Sequence, residues 1–227
     1  MTFPYSVTVA GMADKIVETH LDLFEVRASG QAAKFLARAV RLACQDRLQG
    51  PVRIMKYVRE LALYRFNQGK FLEWRSPTGF PCANMYNEPD VVDIDLGYGG
   101  VRSRYTVADG AKPEMRRDKM LNAASPNFVH SLDAAHLMRT VLTANREGIR
   151  DVLTVHDSMA CLAPHAQRFG QIIRREFAML YAYPAVDPLA ALRAANVDDP
   201  NDPNLLPLPK RGNLDPLGVQ RAEYFSM

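Results

Sequence analysis

An α+β fold, mostly helical with two β-hairpins, is predicted by three features of the sequence. Apolar residues recur at helical spacing over residues 5–26, 31–48 and 51–67 and again after Ser125. The run DVLTV-HDS-MACLA (residues 151–163) alternates on both sides of a polar triplet, as a tight hairpin does. Between these, residues 82–106 alternate loosely around Gly97, Gly99 and Gly100, which suits a longer, protruding hairpin or ribbon, with an ordinary surface loop as the alternative.

Each element has local signals. Helix 31–48 carries Phe35, Leu36, Val40 and Ala43 on one face and Lys34, Arg38 and Arg41 on the other. Gly50-Pro51 separates it from a third helix, where Pro51 sits in the tolerant first turn and Gly69 lies just past the end. Arg53, Lys56 and Arg59 form a second basic stripe, and Lys112, Arg116, Arg117 and Lys119 crowd a short linker. Any one such stripe is also what a plain solvated helix face looks like. The segment SPTGFP breaks helix propagation. Ser125 is a plausible N-cap and Pro126 a first helical residue, with Phe128, Leu132, Ala135 and Val141 on a buried face and Gly148 as the stop. A last helix is expected from His165 to Tyr181, and the stretch LPLPKRGNLDP is too rich in proline for a regular core element.

Composition narrows the class. With 227 residues, 48% of them hydrophobic, the chain can bury the core of one large domain or two small ones. No apolar run approaches the roughly 20 residues of a membrane helix, and the N-terminus lacks the pattern of a secretory signal, so no membrane partner and a cytoplasmic location are expected. Cys44, Cys82 and Cys161 are too widely spaced for a CxxC zinc site. The net charge of +3 does not announce a nucleic-acid binder, but the clustering of the basic residues points that way.

Asp157 is the residue with the sharpest chemical reading. A carboxylate at a hairpin tip projects beyond the sheet edge, where it is solvated, paired or bound to a cation, because burying it unpaired is too costly. Mg²⁺ takes oxygen ligands and often only one or two protein carboxylates, with water and substrate phosphates completing its shell. Initiation of the turn by the Asp side chain is the competing explanation. His156, His130 and His136 lack the spacing of a helical zinc site, and hydrogen-bonded structural roles suit them better.

SPNFVHSLDAAHL, followed by VHDS, resembles the C-terminal half of the single-subunit RNA polymerases of bacteriophages and mitochondria. MTFPYSVT resembles the second half of that family's motif B, WRSPTGFPCANMY its W-x-[ST]-P-x-G-F-P segment, and LPLPKRGNLDPLGVQRAEYFSM its terminal tail, all in the family's order. The resemblance implies the right-hand polymerase fold. Residues 1–70 would be fingers helices, 71–120 a strand and the specificity-loop hairpin, 121–183 the palm with motif C, and 184–227 a proline-rich tail.

It also implies site roles. Asp157 would bind two Mg²⁺ ions with His156 beside it, and Tyr5 would check the sugar of the incoming nucleotide. Asn84, Arg102, Arg104 and Lys119 are chemically suited to contact DNA. The expected partners are promoter and template DNA, nascent RNA and NTPs. The family's other metal-binding aspartate and its catalytic lysine match no residue here, and Ser6 and Pro4 depart from motif B. A split enzyme is therefore expected, with a second subunit supplying the N-terminal domain, motif A and the start of motif B. Pro4, with no residue four positions before it, suits a natural start. The alternatives are a fragment of a one-chain RNA polymerase, a family A DNA polymerase, an HD-type phosphohydrolase or a non-catalytic DNA-binding accessory subunit.

Overall fold

The computed structural model describes residues 7–19, 29–98, 101–183 and 187–222. Three helices come first: α1 (Val9–Thr19), α2 (Ser29–Arg47) and α3 (Gln49–Asn67). Two short strands, β1 (Leu72–Arg75) and β2 (Pro81–Asn84), pair antiparallel. They precede a long ribbon of β3 (Asn87–Tyr98) and β4 (Val101–Met115), and then helix α4 (Arg117–Arg146). A small hairpin, β5 (Val152–Val155) and β6 (Ser158–Cys161), leads to α5 (Ala166–Ala182) and α6 (Pro188–Asn196). The fold is thus mixed α and β, with three separate two-stranded antiparallel sheets among the described residues.

The main core lies where α3, β1, α4 and α6 meet. Tyr57, Val58, Leu61 and Ala62 of α3 pack on Leu72 and Trp74 of β1, on Leu121, Ala124, Phe128 and Leu132 of α4, and on Leu192 of α6. Trp74 meets Phe128 edge to face at 6.0 Å, and its indole N–H donates to Ser131 Oγ at 2.9 Å, so the ring is buried without an orphaned donor.

Helix α4 begins earlier than Ser125 suggests. It starts at Arg117, with Asp118 in its first turn, and runs through Pro126. A proline inside a helix removes one hydrogen bond and costs about 3 kcal/mol. Met120, Leu121 and Ala124 before it and Phe128 and Leu132 after it are all buried on the same element. Each large side chain buried contributes roughly 1.5–3 kcal/mol, so packing on both sides of Pro126 outweighs the break. Ser125 is accordingly a buried mid-helix residue and not a cap.

Helix α2 also differs from its sequence pattern. Ala33 and Ala37 are its buried residues, packed with Met12 and Ala13 of α1, whereas Phe35, Leu36 and Val40 are exposed. Small side chains let the two helices approach closely, which turns the bulkier apolar stripe outward. The region after Pro184, read as a tail, contains a core-building helix. Asp187 caps α6 by accepting from the amides of Leu189 and Ala190, and buried Asn196 exchanges hydrogen bonds with the backbone of Glu73 in β1. The stretch 206–214 is irregular, as its prolines predict.

Helix α4 ends at a Schellman motif that aims the chain into β5. Gly148, at φ 87°, takes the left-handed position, and the amides of Gly148 and Ile149 bond to the carbonyls of Asn145 and Ala144. Glu147, beside it, receives Arg175 at 2.6 Å and Arg168 at 2.7 Å, which tie α5 to this corner. The Arg175 and Arg168 guanidiniums hold the Glu147 carboxyl below the usual glutamate range. A depressed carboxyl pKa adds stability above the unfolded value and loses it as pH falls through the folded one. The melting temperature should therefore drop as pH falls below the ordinary glutamate range, and Glu147→Gln should flatten that drop. Parallel melts of both proteins across acid pH check this.

Candidate functional site

Strands β5 and β6 are joined by only two residues, His156 and Asp157, with Val155 opposite Ser158. Two-residue connections between antiparallel strands favour turns whose first central residue has positive φ, because that matches the strand twist. His156 adopts φ 54°, the only non-glycine described residue to do so. Histidine tolerates this region better than most residues, and a β-branched side chain tolerates it poorly. The strain is accepted because the hairpin is anchored. Val152, Met159 and Cys161 on its inner face pack on Ala144, Ile149, Phe169 and Ile172.

The opposite face is bare, with Leu153 65% and Val155 56% exposed. At the tip His156 and Asp157 are exposed side by side. Among the described residues no group of three or more His, Cys, Asp or Glu side chains is arranged to hold a metal ion. Asp157 therefore offers a single presented carboxylate. Two further histidines are engaged with the protein: His136 Nε2 lies 2.9 Å from the Ile173 carbonyl, and His130 faces Asp133.

The residues selected for DNA contact fall into different settings. Arg102 and Arg104 lie on one face of the β3–β4 ribbon, opposite Gly97 and Asp95. Arg104 is held by both Asp95 oxygens, at 2.9 and 3.3 Å, so its guanidinium is already oriented. Arg102 is exposed near the ribbon's end. The other face carries Val92, Ile94, Leu96, Tyr105 and Val107, all exposed. Lys119 is exposed at the ribbon's base, its ammonium 5.4 Å from the Tyr86 ring centre. Tyr5 lies outside the described residues.

Asn84 requires a correction. It is fully buried; its Nδ2 donates to the Met120 carbonyl at 2.8 Å, and its Oδ1 accepts from Asn127 at 2.9 Å. Both ends of the amide are used inside the protein, so it ties β2 to α4 and presents no edge to a base. Sequence reading also missed that the two basic stripes converge. Arg41 of α2 and Lys56 and Arg59 of α3 line one cleft with Ser125 of α4.

Residues 1–207 match the family model described as DNA-dependent RNA polymerase. The chain belongs to this family. It is 29% identical to the human mitochondrial DNA-directed RNA polymerase over 99% of its own length and 19% of that protein. It is 27% identical to the chloroplastic/mitochondrial DNA-directed RNA polymerase 2 of Arabidopsis thaliana over 99% of this chain and 22% of that one. The DNA-directed RNA polymerase of Pseudomonas phage phiKMV is 28% identical over 82% of this chain and 23% of the phage protein. The chain thus spans about a fifth of the length of these relatives.

The strain at His156 gives a direct test. His156→Val should destabilise the fold by about 1–3 kcal/mol through its left-handed backbone, whereas His156→Gly should not. Urea unfolding of the two variants against the parent measures the difference.

Proposed function

We propose that this chain forms the palm-and-fingers part of a DNA-directed RNA polymerase that performs template-directed nucleotidyl transfer, with Asp157 as its catalytic carboxylate. The observation that carries the reading is the exposed carboxylate at a strained two-residue turn, on a chain that matches this polymerase family from residue 1 to residue 207.

The donor set fits magnesium in part. A single exposed carboxylate oxygen donor is the kind Mg²⁺ takes when water and substrate phosphates complete its shell. Asp157 would hold the ions here, together with an aspartate from polypeptide beyond these 227 residues. Bound there, magnesium would align and neutralise the oxygens of the reacting phosphate. His156 sets the turn that keeps Asp157 at the tip. Tyr5, on its sequence match alone, would face the sugar of the incoming NTP.

The ribbon supplies the reading of promoter DNA. Arg102 and Arg104 share a face, and the Asp95 carboxylate fixes the Arg104 fork as bidentate contact with a guanine requires. Lys119 would hold a DNA phosphate. The opposing aspartate and the fingers lysine come, in this reading, from a second subunit. The uncovered apolar faces of the β5–β6 hairpin and of α2 support a large interface with it.

The test is RNA synthesis by the complex assembled with the polypeptide encoded next to this chain. Asp157→Asn should lower the rate by about a hundredfold to a thousandfold, the range for removing one preorganised electrostatic group, with DNA and subunit binding unchanged. Retained synthesis in this variant removes Asp157 from the chemistry and leaves a DNA-binding accessory role.

A further inference from the structure

The β3–β4 ribbon leaves the helical body at Tyr86, which with Met85 links β2 to β3. Tyr86 is half-buried and held at three places. Its hydroxyl accepts from Asn127 Nδ2 of α4 at 3.1 Å, its carbonyl accepts from the Arg116 amide at 2.9 Å, and its ring lies 5.4 Å from the Lys119 ammonium. The same Asn127 Nδ2 donates to Asn84 Oδ1, and the Asn84 amide nitrogen donates to the Met120 carbonyl. Tyr86 is thereby tied to the buried start of α4. A neutral hydrogen bond of this kind contributes about 1 kcal/mol, enough to select one orientation of the ribbon but not to build the fold.

Beyond this anchor the ladder is irregular, and the irregularity is built from residues suited to it. Pairing slips between Asn87 and Pro89 and again between Pro89 and Val91. Pro89 has no N–H to give to a ladder. Asn87 Nδ2 donates to the Lys112 carbonyl at 2.9 Å, and Gly110 takes φ 128°, a conformation strained for any residue with a side chain. Such bulges bend a strand pair and increase its twist. A strand rises about 3.4 Å per residue, so Arg102, opposite Gly97, stands about 30 Å from the root. A swing of about 10° at the root moves it roughly 5 Å, more than the step of about 3.4 Å between neighbouring base pairs.

We propose that Tyr86, Asn127 and Gly110 are specificity-determining positioning residues, which aim the ribbon and so decide which bases Arg102 and Arg104 meet without touching DNA. The role in base selection rests on the reading that the ribbon contacts promoter DNA, whereas the aim of the ribbon is a property of the chain itself.

Two measurements on the complex in which RNA synthesis is assayed test it. The first is a pulsed electron-spin distance between labels carried by ketone-bearing residues at Leu96, near the ribbon tip, and at Ala134 on α4, both exposed. The parent should give one narrow distribution. Tyr86→Leu, Asn127→Leu and Gly110→Ala should shift or broaden it, and Tyr86→Phe, which loses only the hydroxyl, should fall between. Beyond its chain neighbours Gly110 has no atom within 4 Å of where a Cβ would stand, so Gly110→Ala strains the backbone without a clash. Glu147→Gln weakens the fold at the far end of α4 and should leave the distribution unchanged, which separates aim from stability.

The second measurement is selection of bound sequences from duplex DNA with a randomised centre. Arg104→Ala should lose one base preference, about five- to a hundredfold for a bidentate arginine–guanine pair. Tyr86→Leu and Gly110→Ala should lose or change the same preference while affinity for the unselected pool stays within about twofold, since the phosphate contacts remain. Distances that match the parent in these variants, or moved distances with the parent's base preference intact, overturn the proposal. A preference that survives Arg104→Ala removes base reading by that arginine and the specificity role with it, while the distances still report whether Tyr86 and Gly110 aim the ribbon.

Discussion

Two residues are too few to reverse an antiparallel strand pair unless the first takes a left-handed backbone, and that constraint shapes the centre of this molecule. His156 accepts the conformation at φ 54° because both flanking strands are fixed from beneath. Met159 and Cys161 are pressed on α5, and the Schellman turn at Gly148 sets where β5 begins. The Glu147 clamp then joins that turn to α5 through Arg168 and Arg175. The tip is thus the rigid end of a small lever whose base is buried. A carboxylate carried there has little freedom to relocate, and an ion held by it would inherit that position.

Polar groups within the protein perform a comparable task elsewhere. Asn84 and Asn127 join β2 to α4, Asn196 completes the hydrogen bonding of β1, and Arg193 gathers the Tyr57 hydroxyl with the carbonyls of Pro200 and Leu206. Each buried amide is satisfied, so each specifies one alignment of its elements at little net cost. The result is a helical body that fixes two β-ribbons of different character. The short one is anchored along one face. The long one pairs chiefly with itself and displays an apolar face opposite its two arginines.

Local signals in the sequence were sufficient for α3, α5 and the hairpin, since Gly69, Gly148 and the His-Asp-Ser triplet punctuate them where the chain turns. They were insufficient at Ser125-Pro126. Proline in a first turn and proline inside a helix look alike along the chain; the burial of Met120 and Leu121, the latter in the core with α3 and β1, decides between them. Asn84 was misjudged for the same reason, because its partner at Met120 lies 36 positions away. On α2 the bulky apolar stripe suggested a buried face, and the packing instead chose Ala33 and Ala37, whose size permits close contact. The roles proposed for Asp157 and Tyr5 rest on resemblance to ordered motifs; alternation alone yields only a presented carboxylate.

In the proposed enzyme, Asp157 grips a divalent ion. The most direct examination of that grip is a crystal structure of the assembled complex with manganese and a non-hydrolysable NTP, in which anomalous scattering locates the metal independently of any assumed coordination. An anomalous peak is expected at bonding distance, about 2.0–2.2 Å, from an Asp157 carboxylate oxygen. Peaks confined to other residues, with the hairpin tip turned to solvent, would contradict it.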